Sequence, residues 1–94
     1  MNAFSPAPEF DGRTENFASY RQEVELWLLV THLPLNRRAP ALALAMDKMP
    51  RELCLSLGVA ALRCDTGVET IMKLLQKRAI YGVIMMILTI HGKV

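Results

Sequence analysis

The segment between residues 14 and 32 constrains the fold most, because its large apolar residues recur at helical spacing. The recurring positions are Phe17, Tyr20, Val24, Trp27, Leu28 and Thr31. Steps of three and four residues place these side chains on one side of a helix, within an arc of roughly 100°. We therefore predict a helix that starts near Thr14 or Asn16, ends near His32 and buries this stripe in the core.

A second apolar group lies almost opposite the stripe. It consists of Leu26, Leu29 and Val30, so the last turn and a half of the predicted helix is apolar all round. Burial between neighbouring helices on both sides is the simpler interpretation, and we favour it from the sequence. Docking of this second face onto another subunit is the alternative that stays open.

Prolines divide the first half of the chain. Pro6 and Pro8 disfavour helix and predict an extended arm over residues 1–13, which Phe10 can anchor to the domain. Pro34 ends the first helix, and residues 36–38 form a short polar connection. Pro40 suits the first turn of a second helix, where its missing N–H costs nothing.

The second half contains two further helix signals and an apolar end. Pro50 can begin a third helix over residues 51–57, which Gly58 ends. Thr66 and Glu69 form a capping box, which predicts the start of a fourth helix. Residues 79–90 carry no charge and no amphipathic period, so either helix or strand is compatible with them.

These elements predict an all-α fold, a small bundle of about four short helices. We divide the chain into an extended arm (1–13), a helical domain (14–77) and an apolar tail of uncertain structure (78–94). The chain has 94 residues, of which 52% are apolar. This is enough for one small core, and we expect some apolar residues to remain on the surface.

The sequence offers no catalytic or metal-binding constellation. His32, His91, Cys54 and Cys64 lack the spacing of a zinc site, and no glycine-rich phosphate loop is present. We expect no metal, no cofactor and no enzymatic activity. Residues 1–20 lack the apolar core of a secretory signal, so we expect an intracellular, cytoplasmic protein whose two thiols are reduced and buried.

Charge gives a weak signal for other ligands. The net charge is +2, and Arg13, Arg21, Arg37 and Arg38 are best interpreted as surface charge. The aromatic residues that stack on bases in nucleic-acid sites belong here to the buried stripe. We therefore do not expect this fragment to bind nucleic acid.

Several stretches match a known family pattern. These are Pro8-Glu9-Phe10-Asp11-Gly12, Asn16-Phe17-Ala18-Ser19-Tyr20 and Val24-Glu25-Leu26-Trp27-Leu28, followed by Arg38-Ala39-Pro40-Ala41-Leu42 and by Gly67-Val68-Glu69 with Leu74-Leu75. Together they resemble the N-terminal Gag region of LTR-retrotransposon polyproteins, of the copia type, over residues 8–77.

The resemblance implies a capsid-like helical fold that associates with itself, with Phe10, Tyr20 and Trp27 as structural anchors. The chain departs from the family in lacking a Cys-x2-Cys-x4-His-x4-Cys zinc knuckle and a protease motif. Residues 78–94 also depart from it, and we interpret them as foreign to a truncated Gag-like fold. The resulting order of functions is self-association, then an adaptor for a different protein, then membrane-surface association through Lys77, Arg78 and the tail.

Overall fold

The computed structural model describes the backbone of residues 6–91 and the side chains of residues 6–79. The fold is all-α. A 3₁₀ turn at Thr14–Asn16 leads into five helices: α1 (Phe17–Val30), α2 (Leu35–Leu44), α3 (Lys48–Leu55), α4 (Val59–Leu62) and α5 (Gly67–His91). Within the described residues, the one extended pairing is an isolated parallel bridge between Phe10 and Met46.

The predicted stripe of α1 forms one wall of the core. Phe17, Tyr20, Val24 and Trp27 are buried, and Leu28 is half-buried beside them. The opposite wall comes from α2 and α5, which pack against each other. The residues that they bury are Ala39, Leu42, Ala43, Val68, Ile71 and Leu75. The core therefore forms where the three-four periodicity of α1 predicts it.

The start of α2 differs from the prediction. The helix begins at Leu35, directly after Pro34, so Pro40 lies inside it and residues 36–38 are helical instead of a connection. Pro34 has extended backbone angles, as a residue before a first helical turn requires. Pro40 leaves the carbonyl of Asn36 without its usual i+4 donor, a cost that the burial of Ala39 and Leu42 on either side offsets.

Two short helices connect α2 to α5. The predicted third helix is confirmed as α3, although it begins at Lys48, ahead of Pro50. Gly58 adopts φ +91° and starts α4, a four-residue helix that sequence periodicity did not indicate because it is barely one turn long. The guanidinium of Arg51 donates to the carbonyl of Leu44, the last residue of α2, at 3.4 Å and to that of Met46 at 2.8 Å.

Helix α5 begins at Gly67, next to the Thr66 of the predicted capping box, and runs without interruption to His91. The apolar segment 79–90, for which helix and strand were both open, is therefore helical. The proposed domain boundary at residue 78 stays a prediction, because a continuous helix does not show whether its two parts share an origin. The predicted tail residues 92–94 lie outside the described residues.

Candidate functional site: the outer face of the first helix

The N-terminal arm is fixed to the body of the protein by Phe10. Its ring is stacked on Tyr20 at a centroid distance of 4.5 Å and meets Phe17 edge-on at 6.3 Å. The amide of Asp47 donates to the Phe10 carbonyl at 2.9 Å. Ring contacts and a backbone hydrogen bond together hold the arm across the start of α1.

A turn at the end of the arm sets its direction. The Asp11 carboxylate accepts hydrogen bonds from the backbone N–H of Arg13 at 2.9 Å and from the amide of Asn16 at 2.7 Å. The first of these lowers the pKa of Asp11, with the Asn16 bond and the Arg13 charge acting in the same direction. Gly12, at φ +86°, lies so close to Pro50 that a Cβ would stand 3.0 Å from the proline ring. This turn therefore tolerates few other residues.

The arm and α1 enclose a shallow, mostly apolar groove, which we call the arm groove. Pro6 and Pro8 form one side of it, and the other side comes from α1. The α1 residues that line it are Glu23, Leu26, Trp27, Leu29 and Val30. The three residues that we predicted as a possible interaction face therefore lie together in one surface feature.

Those three residues are exposed, which corrects the favoured expectation that both sides of α1 are buried. Leu26 is 66% exposed, Leu29 is 82% exposed and Val30 is 53% exposed. The physical reason is that α2 and α5 pack into the core that the other side of α1 faces, so the described residues leave this side uncovered. We call these three residues the outer face.

The predicted structural anchors occupy the opposite side. Phe10, Phe17, Tyr20, Val24 and Trp27 are all less than one-tenth exposed, whereas Leu28 is half-buried at the edge. Helix α1 thus has one side packed in the core and another, apolar side that is exposed to solvent. The predicted cap residues Thr66 and Glu69 are both exposed at the start of α5, away from this surface.

A second, more polar groove lies at the other end of the arm. The carboxylates of Glu9, Asp11, Glu23 and Asp47 line it together with Tyr20. Glu23 thus borders both grooves. The hydroxyl of Tyr20 is buried without a hydrogen-bond partner among the described residues, and this burial raises the pKa of Tyr20 well above its usual range.

The two cysteines have different environments. Cys54 is fully buried, with its Sγ 3.5 Å from the sulfur of Met46, and burial raises its pKa to about 11. Cys64 is exposed in the loop after α4, where its Sγ donates to the Ala60 carbonyl at 3.2 Å. The expectation that both thiols are buried is therefore wrong for Cys64, since a helix of four residues ends too early to cover it.

Most arginines of the basic set have local partners. Arg13 lies 3.9 Å from the Asp11 carboxylate, Arg21 lies 3.6 Å from Glu25, and Arg38 donates to the Leu33 carbonyl at 3.0 Å. Arg37 is exposed at the start of α2 and lacks a salt bridge within the described side chains. Three of these four arginines therefore have a partner within five residues of chain.

The described residues contain neither a cluster able to hold a metal ion nor a helix able to span a membrane. No three His, Cys, Asp or Glu side chains among them stand close enough to hold a metal ion. In the same part of the chain, no helix has both the length and the apolar character needed to cross a membrane.

Sequence reasoning missed two contributors to the surface around the outer face. Pro6 and Pro8 line the arm groove. The placement of Phe10 as an anchor is the signal that could have indicated the prolines, because an anchored arm must cross the helix that anchors it. Comparison of the chain with protein-family models, curated proteins and solved structures finds no match.

Proposed function

We propose that this protein is a non-enzymatic self-association module, similar to the capsid-like Gag region of LTR retrotransposons, and that it associates through the outer face of α1. One observation carries the proposal. A helix that buries one side in the core presents Leu26, Leu29 and Val30 to solvent on the other. Contiguous exposed apolar side chains of this kind are typical of protein-interaction surfaces.

The energetic scale of that face suits a reversible contact. Leu29 is 82% exposed, and transfer of a leucine side chain from water into an apolar contact is worth about 1.5–3 kcal/mol. In a symmetric pair each such residue counts twice. A few leucines are therefore enough to support association at micromolar to millimolar concentration once the entropic cost of association is subtracted.

The Gag-like part of the proposal depends on the motifs in residues 8–77. Two structural features agree with it: the all-α fold and the extended arm that Phe10 attaches to the first helix. Tyr20 and Trp27 are buried, as structural anchors of the first helix would be.

The test is the molar mass of the protein in solution as a function of concentration, measured by size-exclusion chromatography with light scattering. We expect the unmodified chain to form dimers or larger species as its concentration approaches about 1 mM. Leu29→Glu places a charge in the centre of the outer face and should weaken association at least roughly tenfold.

Leu44→Glu is the matched control. Leu44 is 71% exposed at the end of α2, so the substitution makes the same chemical change at a similarly exposed leucine outside the outer face. An equal effect of both variants would indicate nonspecific association and refute the proposal. A strict monomer at every concentration would refute self-association and favour the alternative adaptor function, in which a different protein covers the same face.

A further inference from the structure

The arm groove begins where the described part of the chain begins. Pro6, the first described residue, lines the groove together with Leu29 of the outer face. Phe10 and the half-buried Ala7 hold the arm against the core up to this point. Residues 1–5, which lie outside the described residues, are therefore attached at the edge of the groove.

The groove offers space and an apolar surface for one large side chain. Its volume is about 370 Å³, and pockets that hold small ligands have volumes of about 300–1,000 Å³. Among the described residues that line the groove, Glu23 alone is charged, and the others are prolines and large apolar residues of α1. A side chain that docks there has to be apolar, because a polar group would lose its hydrogen bonds to water without gaining partners.

Residues 1–5 contain such a side chain in Phe4. They carry no charged side chain, and Phe4 is the aromatic residue among them. The Cα atoms of Phe4 and Pro6 are two residues apart in the chain, which keeps them within about 7 Å of each other. Ser5 precedes a proline, and this position favours extended backbone. Phe4 is therefore held within reach of the groove.

The short tether favours Phe4 over an occupant from another molecule. A segment attached through so short a linker has an effective concentration in the millimolar range. The proposed dimer forms only as the protein concentration approaches about 1 mM. At lower concentrations the tethered side chain therefore reaches the groove before a second copy does.

The contact is reversible, because two opposing effects are similar in size. Burial of a phenylalanine side chain favours the docked state by roughly 10–100-fold. Ordering the backbone of Phe4 and Ser5 opposes docking by a factor of the same order. We therefore expect Phe4 to be docked in about half of the molecules and to leave when a partner competes for the groove.

We infer that Phe4 docks into the arm groove of its own chain, contacts Leu29 and Val30 there, and thereby limits access to the outer face. A second copy that binds the outer face has to displace Phe4 first. The docking stands apart from the proposed self-association, whereas the limit on access rests on it.

Methyl NMR tests the docking in a dilute sample, in which the chain does not associate. We expect nuclear Overhauser contacts between the Phe4 ring and the methyl groups of Leu29 and Val30, with ring-current shifts of those methyl signals. The shifts should disappear in Phe4→Leu, whose side chain is apolar but lacks the ring. The methyl groups of Leu44, which is exposed at the end of α2, are the control and should not shift.

Light scattering tests the limit on access. Phe4→Ser removes the apolar side chain, so both copies in a dimer have a free groove. Removal of a cover that is docked half of the time should strengthen dimerisation about fourfold, because each copy gains a factor of about two. Ala3→Ser is the matched control, since it introduces the same residue at the neighbouring position and should leave dimerisation unchanged. Far-UV circular dichroism checks that every variant keeps its helix content.

The outcomes separate the docking from the proposed function. If the contacts and the ring-current shifts are missing, the inference is overturned, while self-association still stands if Leu29→Glu weakens it. Contacts that form only between differently labelled copies would also overturn the inference, because Phe4 would then dock on a neighbouring molecule. Unchanged dimerisation of Phe4→Ser would overturn the limit on access. A chain that is monomeric at every concentration would refute the proposed function, and the NMR contacts would then decide the docking alone.

Discussion

The attachment of the arm provides the sharpest test of the fold, through the substitution Phe10→Ala. The Phe10 ring is 5% exposed, is stacked on Tyr20 at 4.5 Å and contacts Phe17 edge-on. Alanine removes the ring and leaves a cavity between the arm and α1. The hydrogen bond from Asp47 to the Phe10 carbonyl can still form, but it would have to hold the arm alone.

The expected loss of stability follows from these contacts. Truncation of a buried phenylalanine to alanine costs about 3–5 kcal/mol, of which each aromatic pair accounts for about 0.5–1.5 kcal/mol beyond area burial. The arm lies near one end of the chain and can relax into the cavity, so we expect about 3 kcal/mol. A chain of 94 residues has a total stability of about 5–14 kcal/mol. The variant should therefore stay folded with a clearly lower unfolding midpoint.

Urea denaturation followed by far-UV circular dichroism measures this loss, and amide hydrogen exchange at Asp47 reports on the arm itself. Phe10→Leu is the matched control, since it keeps an apolar side chain and loses the ring stacking, and it should cost about 1–1.5 kcal/mol. Exchange at Asp47 should accelerate in Phe10→Ala and much less in Phe10→Leu. If the alanine variant loses under about 1 kcal/mol and exchange at Asp47 is unchanged, the arm is not part of the cooperative unit and the reasoning is wrong.

Three further predictions concern buried positions. Gly67→Ala should cost about 2–3 kcal/mol in urea denaturation, because the new Cβ would overlap the backbone carbonyl of Leu62 and stand 2.7 Å from the Cβ of Ala39. Gly58→Ala meets no atom within 4 Å and should cost only about 1 kcal/mol for its φ of +91°, so equal costs would contradict the close packing of the start of α5 on α4 and α2. Burial raises the pKa of Cys54 from 9.0 to about 11, so the unfolded chain loses this proton at lower pH than the folded chain does. The free energy of unfolding should therefore fall by about 1 kcal/mol per pH unit between about pH 9 and 11, and Cys54→Ala should largely remove this slope. An unchanged slope in that variant would assign the effect to other groups. Tyr20→Phe removes a buried hydroxyl that has no hydrogen-bond partner among the described residues. The substitution should leave the free energy of unfolding unchanged or raise it by up to about 1 kcal/mol. A loss above about 1 kcal/mol would mean that the hydroxyl is hydrogen-bonded.

Sequence reasoning predicted the parts of the fold that depend on periodicity. The spacing of Phe17, Tyr20, Val24 and Trp27 depends only on helix geometry, and all four residues are buried. The start of α5 was predicted from a local signal of the same kind. Both features depend on neighbours within one or two helical turns, and a sequence reports such neighbours directly.

Features that depend on competing local signals were predicted less well. Pro34 and Pro40 are each compatible with the start of a helix, and the sequence does not show at which of them α2 begins. Tertiary contacts decide in favour of Pro34, because a helix that begins at Leu35 presents both Ala39 and Leu42 to the core in one continuous element. The exposure of Cys64 was missed for a related reason, since the length of α4 determines what it covers and four residues carry too little pattern to reveal that length.

The outer face shows why a candidate site is harder to predict than a core. Periodicity gives the direction in which Leu26, Leu29 and Val30 point. Whether another part of the chain covers them depends on the path of the chain after Val30. The connection at residues 31–34 turns α2 towards the packed side of α1, so these three side chains stay in solvent, beside Pro6 and Pro8 of the arm. The exposure of the outer face therefore depends on one short connection, which the periodicity of α1 does not report.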